Sequence, residues 1–188
     1  MIKSTSFIRQ FIKNKKTIGA VLPSSFFLRR KILNKVYKKG SVFVEFGPGT
    51  GAFTYDIIKS LPNNCNFLIF EVNKSFYEKL KQKITDHRVI LINDGAENLE
   101  KHLSLNNLKK ADVIISSLPL ANFNETLRTK ILKNSFENLK THGRFIQYQY
   151  TKNTKDEIEM IFKTKNVRTE FVFINIPPAF VYTCKKTS

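Results

Sequence analysis

The stretch Ser41-Val42-Phe43-Val44-Glu45-Phe46-Gly47-Pro48-Gly49-Thr50-Gly51 decides the fold of this chain. Val42 to Phe46 is a short, mostly apolar run, the pattern of a strand buried in a parallel sheet. Three glycines at alternate positions follow at once. Beyond them, Phe53, Ile57 and Ile58 have helical spacing. The unit is therefore strand, glycine loop, helix. Glycine has no Cβ, so the backbone can turn tightly there and a bound molecule can come close to it. The helix that follows points its first N–H groups at whatever occupies the turn.

The loop matches neither the G-x-G-x-x-G dinucleotide fingerprint nor the G-x-x-x-x-G-K-[ST] phosphate loop. Instead an acid, Glu45, stands two residues before G-x-G-x-G. This pattern resembles the first motif of the class I S-adenosylmethionine-dependent methyltransferases, and Glu45, Gly47, Pro48, Gly49, Thr50 and Gly51 match it throughout. The resemblance implies that S-adenosylmethionine is the cofactor and that these residues bind it. A carboxylate suits the ammonium group of its methionine end better than it suits a pyrophosphate. Two further acids close the next strands: Glu71, 20 residues after Gly51, and Asp94, followed by Gly95. Ligands of open α/β sheets sit beyond the carboxyl ends of the strands. Glu71 is therefore expected to accept from the ribose hydroxyls, and Asp94 with Gly95 to read the adenine amino edge. Each acid has a plainer alternative, capping the next helix or facing solvent. Ser116, at the end of the fourth strand, completes the expected cofactor-binding set.

From Ser41 onward, strands alternate with helical segments, as in a parallel sheet with helices on both faces. Strands are predicted over residues 66–71, 89–92, 111–116 and 143–150, with helices over 74–83, 122–139 and 155–162. Two final runs, 168–174 and 179–184, flank Pro177-Pro178 and read as a closing pair with one antiparallel member. The expected fold is α/β: a Rossmann-like class I methyltransferase with a mostly parallel seven-stranded sheet and an antiparallel last strand. An N-terminal helical extension, residues 1–40, precedes a core of residues 41–188. In that extension Pro23 stops one helix and Ser24 or Ser25 caps the next, where Leu28, Ile32 and Val36 share a face. Gly40 suits the position just past its end.

The chain has 188 residues, 41% of them hydrophobic, enough for one folded domain with a full core. No apolar run approaches the roughly 20 residues needed to span a bilayer, and no secretory signal is evident. Cys65 and Cys184 are far apart and lack metal-ligand spacing, and the three histidines form no cluster, so no metal is expected. Net charge is +17, and its distribution is uneven. Residues 1–40 hold 11 of the 32 basic residues and no acid. Something negatively charged is expected to meet that segment. Residues 5–18 read as a basic amphipathic helix, with Phe7, Ile8, Phe11 and Ile12 on one side and Arg9, Lys13 and Lys16 on the other. Such a helix can lie in a membrane interface. It can equally pack its apolar side on its own domain.

The residues after the fourth strand line the acceptor side in this fold. Amine-directed nucleic-acid methyltransferases place Asn/Asp-x-Pro-aromatic there, with the aromatic stacked on a flipped base. Here the segment is Ser116-Ser117-Leu118-Pro119-Leu120, without the polar start or the aromatic end. It is similar instead to the soluble bacterial phospholipid (phosphatidylethanolamine) N-methyltransferases. The similarity extends to the Phe7-Ile-Arg-Gln-Phe-Ile12 opening, Thr17 to Ser25, Gly143 to Tyr148 and Asn175 to Tyr182. Ser117 departs from it, where the family more usually has glycine. The resemblance implies methyl transfer to the amine of phosphatidylethanolamine, towards phosphatidylcholine. It implies a cytoplasmic enzyme held peripherally on the inner face of the cell membrane, with anionic lipid as its partner and no nucleic acid. Leu118, Pro119, Gln147 and Tyr148 are the expected acceptor-side residues, and Phe7 to Lys16 the membrane-binding ones. Two other readings stay open: an rRNA or tRNA methyltransferase gripping phosphates with the basic N-terminus, and a non-catalytic lipid-binding module on the same fold.

Overall fold

The computed structural model describes residues 26–36, 40–174 and 177–187. The predicted helix over residues 5–18, with Phe7, Ile8, Arg9, Phe11, Ile12, Lys13 and Lys16, lies outside them, as do the expected caps Ser24 and Ser25.

The described elements are α1 (Phe26–Leu33), β1 (Val42–Phe46), α2 (Thr54–Ser60), β2 (Asn66–Phe70), α3 (Lys74–Lys83), β3 (Val89–Ile92) and α4 (Leu99–Leu105). They continue with β4 (Ala111–Ser116), α5 (Glu125–Glu137), β5 (Leu139–Gln149), α6 (Lys155–Phe162), β6 (Val167–Val172) and β7 (Ala179–Lys185). The seven strands form one sheet in the order β3-β2-β1-β4-β5-β7-β6. β1 to β5 are parallel, and β7 runs antiparallel between β5 and β6. This is the expected architecture. All five residues of β1 are buried, as a central parallel strand requires.

One face of the sheet packs against α4, α5 and α6 through Val44, Phe46, Leu68, Ile131 and Phe162. The other packs against α1 and α2 through Phe43, Ile69, Val113 and Ile146. Leu28, Ile32 and Val36 of the α1 segment belong to this second core. Lys31 and Lys35 pair with Glu170 on β6, and the Arg144 guanidinium donates to the Lys35 carbonyl. Residues 26–36 thus share the core of the sheet, so a boundary at residue 40 divides elements packed together.

Several predicted boundaries move: the strand expected over 66–71 ends at Phe70, and the run expected over 168–174 is Val167–Val172. The long helix expected over 122–139 starts at Glu125, because the Asn124 side chain accepts from the Leu127 N–H and caps it; a single 3₁₀ turn, Leu120–Asn122, precedes it. β5 begins at Leu139, not 143, and its pairing with β4 shifts register between Ala111 and Val113. His142 has a positive φ there, and a Cβ on Gly143 would lie 2.8 Å from the Lys140 carbonyl. Helix α4 was not anticipated; its signal was only the pair Leu99 and Leu103, both buried.

Candidate cofactor and acceptor site

The chain builds β1, β2 and β3 outward in one direction, then places β4 on the other side of β1. At that reversal the turns leaving neighbouring strands diverge, and a crevice opens beyond their carboxyl ends. It is lined by the turns after β1, β2, β3 and β4 and encloses about 650 Å³ counted to its open mouth.

Gly47, Gly49 and Gly51 all lie in the left-handed region, with φ of 67°, 60° and 83°. They play different parts. A Cβ on Gly47 would sit 2.8 Å from the Leu118 side chain, so the loop touches the segment after β4. A Cβ on Gly51 would sit 2.9 Å from both Leu80 and Tyr55, so this glycine lets α2 and α3 close on the loop. A Cβ on Gly49 would meet nothing within 4 Å. It faces the open cleft, a cradle that any side chain would fill.

Glu71 is 4% exposed and faces the cleft. Its Oε2 accepts from the Gly49 N–H at 3.0 Å and its Oε1 from the Asn73 N–H at 2.8 Å. One carboxylate thus ties the glycine loop to the turn after β2. Its oxygens face the cleft, where they can accept from a ligand's hydroxyls. Asp94 also lines the cleft but is held from behind. Its Oδ1 accepts from the Gly95 N–H and the Asn98 amide, and its Oδ2 lies 2.8 Å from His102 Nε2. Partial burial raises its pKa, but these hydrogen bonds outweigh that and hold the carboxyl below its ordinary value.

Glu45 lies behind the loop rather than on the cleft wall. It is fully buried, and its Oε2 accepts from the Thr54 hydroxyl at 2.8 Å, bracing β1 to the first turn of α2. Its Oε1 has no partner. Burial pushes its pKa up to about 8; the Thr54 hydrogen bond opposes this and the Glu71 charge adds to it. Of the expected cofactor residues, Gly47, Gly49, Glu71 and Asp94 line the cleft, whereas Glu45, Pro48, Thr50, Gly51, Gly95 and Ser116 do not. Gly95 leaves room for Glu97: a Cβ there would lie 2.2 Å from the Glu97 carboxylate. Ser116 is buried, its hydroxyl facing the Leu118 N–H at 3.4 Å.

On the acceptor side Leu118 and Pro119 line the cleft, and Gln147 and Tyr148 do not. Gln147 is buried beside Ser116 in the sheet, and its amide donates to the Leu118 carbonyl at 2.9 Å, fixing that loop from below. The Tyr148 ring packs on Phe53, centroids 5.2 Å apart. Sequence reasoning missed Val72, Phe76 and Glu97, and also Phe123 and Ile131. Val72 and Phe76 were findable, since they follow Glu71 directly and on the next helical turn. Ile131 gave no signal beyond ordinary helix periodicity. Among the described residues no His, Cys, Asp or Glu cluster could hold a metal.

Seven strands in this order, with a positive-φ glycine cradle at the reversal and an acid tied to it, define a class I S-adenosylmethionine-dependent methyltransferase. Residues 26–169 match the model of the ubiE/COQ5 methyltransferase family, and the chain belongs to that family. It is 25% identical over 189 aligned residues to an ornithine lipid N-methyltransferase from Singulisphaera acidiphila, covering 95% of this chain and 94% of that protein. Among solved structures it shares its fold with the N-methyltransferase NodS from Bradyrhizobium japonicum in complex with S-adenosyl-L-homocysteine. There the TM-score is 0.66 and the identity 13%, over 85% of this chain and 86% of the other. A putative rRNA methylase from Clostridium thermocellum gives 0.63 and 21%, over 85% and 94%. The fold therefore does not choose between lipid and RNA. The residues present suit S-adenosylmethionine: Gly47 and Gly49 can admit its backbone end, and Glu71 its hydroxyls.

Proposed function

We propose that this enzyme methylates the primary amine of a membrane-lipid headgroup, phosphatidylethanolamine being the first candidate. The observation that carries this reading is Ser117. Its hydroxyl is buried without a hydrogen-bond partner on the cleft wall, beside Leu118 and Pro119. A buried orphan hydroxyl is costly unless a ligand satisfies it, and an amine N–H does so. No aromatic ring follows Pro119 to stack on a base, because Leu120 stands there, buried. Phe123 lines the cleft four residues further on, and its ring also packs into the core. The relative named for ornithine lipid, whose headgroup also presents an amine, favours a second acceptor of the same chemistry.

S-adenosylmethionine, when bound, would supply a methyl group on a cationic sulfur, to whose carbon an amine lone pair can bond while the carbon–sulfur bond breaks and leaves a neutral thioether. The chain's own work is positional. Glu71 and the glycine loop fix the donor side. Gln147 holds the Leu118 carbonyl, and with it the loop bearing Ser117. Ser117 accepts from the amine and aims its lone pair inward. Ser117→Ala is expected to lower kcat/KM about tenfold, the loss of roughly one buried hydrogen bond, and to leave cofactor affinity unchanged in calorimetry. An equal loss of cofactor affinity would assign Ser117 to the donor side.

The decisive assay offers labelled S-adenosylmethionine with phosphatidylethanolamine vesicles, ornithine-lipid vesicles or total RNA. Transfer to RNA alone would overturn the proposal. Residues 1–18 are proposed to bind the membrane. Phe7→Ser with Phe11→Ser keeps every charge and is expected to weaken binding to anionic vesicles at least tenfold, since burying such side chains is worth roughly 1.5–3 kcal/mol each. Lys13→Glu with Lys16→Glu is expected to weaken binding to vesicles and RNA alike. Among the described residues no helix is long and apolar enough to cross a bilayer.

A further inference from the structure

We propose that Glu45 senses the charge of the bound cofactor: its carboxyl gives up a proton when cationic S-adenosylmethionine fills the cleft and keeps it when the net-neutral product, S-adenosyl-L-homocysteine, takes its place. The two ligands differ by the methyl group and by one positive charge on sulfur. The ammonium and carboxylate of the methionine end cancel in both. A residue that responds to the sulfur's charge sets how strongly donor is preferred over product.

The observation is a buried carboxyl left half-satisfied beneath the glycine cradle. Glu45 is fully buried, and its Oε2 accepts one hydrogen bond, from the Thr54 hydroxyl. Its Oε1 accepts none. An ionised carboxylate so placed is costly unless a positive charge stands near it. Among the described residues the protein supplies no such charge. Ile69 on β2 and Ile115 on β4 are its register partners. On α2, Thr54 is followed by Tyr55 and Asp56, neither of them a cation, and Lys59 beyond them is exposed. On α1, Lys31 and Lys35 are turned to Glu170, and Arg30 is exposed. On β5, Arg144 donates to the Lys35 carbonyl. The charged group that does act on Glu45 is Glu71, and it repels. Burial and this repulsion together hold the carboxyl proton on until about pH 8 before cofactor binds.

Position makes the residue a sensor. Gly47 stands two residues above Glu45, and Glu71 two residues above Ile69, and both line the cleft. At strand rise that step is about 7 Å. A positive charge held in the cleft therefore stands on the order of 10 Å from Glu45. At an effective dielectric of about 20, it moves the ionisation equilibrium about tenfold towards the carboxylate. The carboxyl O–H bond breaks, the proton passes to the buffer, and a negative charge remains opposite the cofactor's positive one.

Calorimetry in two buffers of different ionisation heat counts the protons exchanged on binding. With a tenfold response from a pKa of about 8, parent protein at pH 7.5 is expected to release about half a proton more per S-adenosylmethionine than Glu45→Gln does. Taking the difference removes the titration of the cofactor's own amino group. S-adenosyl-L-homocysteine should give no such difference. Between pH 6 and pH 9 the parent's preference for donor over product should grow about tenfold more than the variant's. The sign follows because Glu45 is protonated with either ligand at the low end and ionised with either at the high end. Thr54→Val removes the hydrogen bond that favours the carboxylate, so its proton release at pH 7.5 should fall below half the parent's. In the parent itself, the infrared band of a protonated carboxyl should fade on adding S-adenosylmethionine and persist with S-adenosyl-L-homocysteine, which keeps the test open should the glutamine variant fail to fold. Equal release by parent and Glu45→Gln, or an unchanged band, overturns the proposal. Equal release with the two ligands does so too, because Glu45 would then respond to occupancy of the cleft and not to charge. None of these readouts involves a methyl acceptor, so they stand apart from the choice between lipid and RNA.

Discussion

Glu71→Ala is expected to weaken S-adenosylmethionine binding by between ten- and a hundredfold in calorimetry. Its carboxylate accepts from Gly49 N–H and Asn73 N–H, so one deletion frees the glycine loop and removes the hydroxyl acceptor together. Hydrogen bonds to a charged group contribute on the order of 1.5–3 kcal/mol each, and about 1.4 kcal/mol is a factor of ten. Gly49→Val should go further and abolish detectable binding. An L-residue in the left-handed region costs about 1–2 kcal/mol, and this side chain would project into the cleft, where nothing else stands within 4 Å. Gly49→Ala should fall between. Unchanged affinity in folded Gly49→Val protein would place the cofactor elsewhere.

The second large effect is on stability, through pH. Burial holds the Glu45 carboxyl up at about 8, against 4.5 for a free side chain. The unfolded chain therefore releases this proton near 4.5, while the folded protein keeps it until about 8. Between those values the native state binds more protons than the unfolded state, so stability falls as pH rises, by at most about 1.4 kcal/mol per unit. The contribution is complete below the lower value and lost above the upper. Glu45→Gln can still accept from Thr54 but does not titrate. Denaturant unfolding of both proteins at pH 5 and pH 8 should show the parent losing several kcal/mol relative to the variant. Parallel curves would mean that Glu45 is already ionised in the folded protein.

The sheet was legible because its period is stark: five short apolar runs, each followed by a helical spacing or a turn. The cradle was legible because G-x-G-x-G has few other uses. What escaped is physical in origin. Glu45 and Glu71 look alike in sequence, each near a strand end, yet one turns inward to Thr54 and the other faces the cleft. Position 45 lies within the strand, and position 71 is the first residue beyond one. Register pairs Glu45 with Ile69, so Glu71 stands on the same side of the sheet but two residues higher, past the strand's end and level with the glycine loop. Gln147 was expected at the acceptor, and its amide donates to the Leu118 carbonyl from the neighbouring strand. The apolar wall from Ile131 is contributed by a helix distant in sequence, and periodicity cannot show which turn of a helix meets a crevice.

The strand order also has a consequence for how the protein is made. β1 leaves the ribosome first among the strands, yet it pairs on one side with β2 and on the other with β4, which begins only at Ala111. Until then the edge from Phe43 to Phe46 is bare and apolar, open to a wrong partner. The Leu118 loop is pinned later still, when Gln147 on β5 arrives beneath it. A nascent chain ending much before residue 150 thus has the cradle but not its opposite wall firmly set.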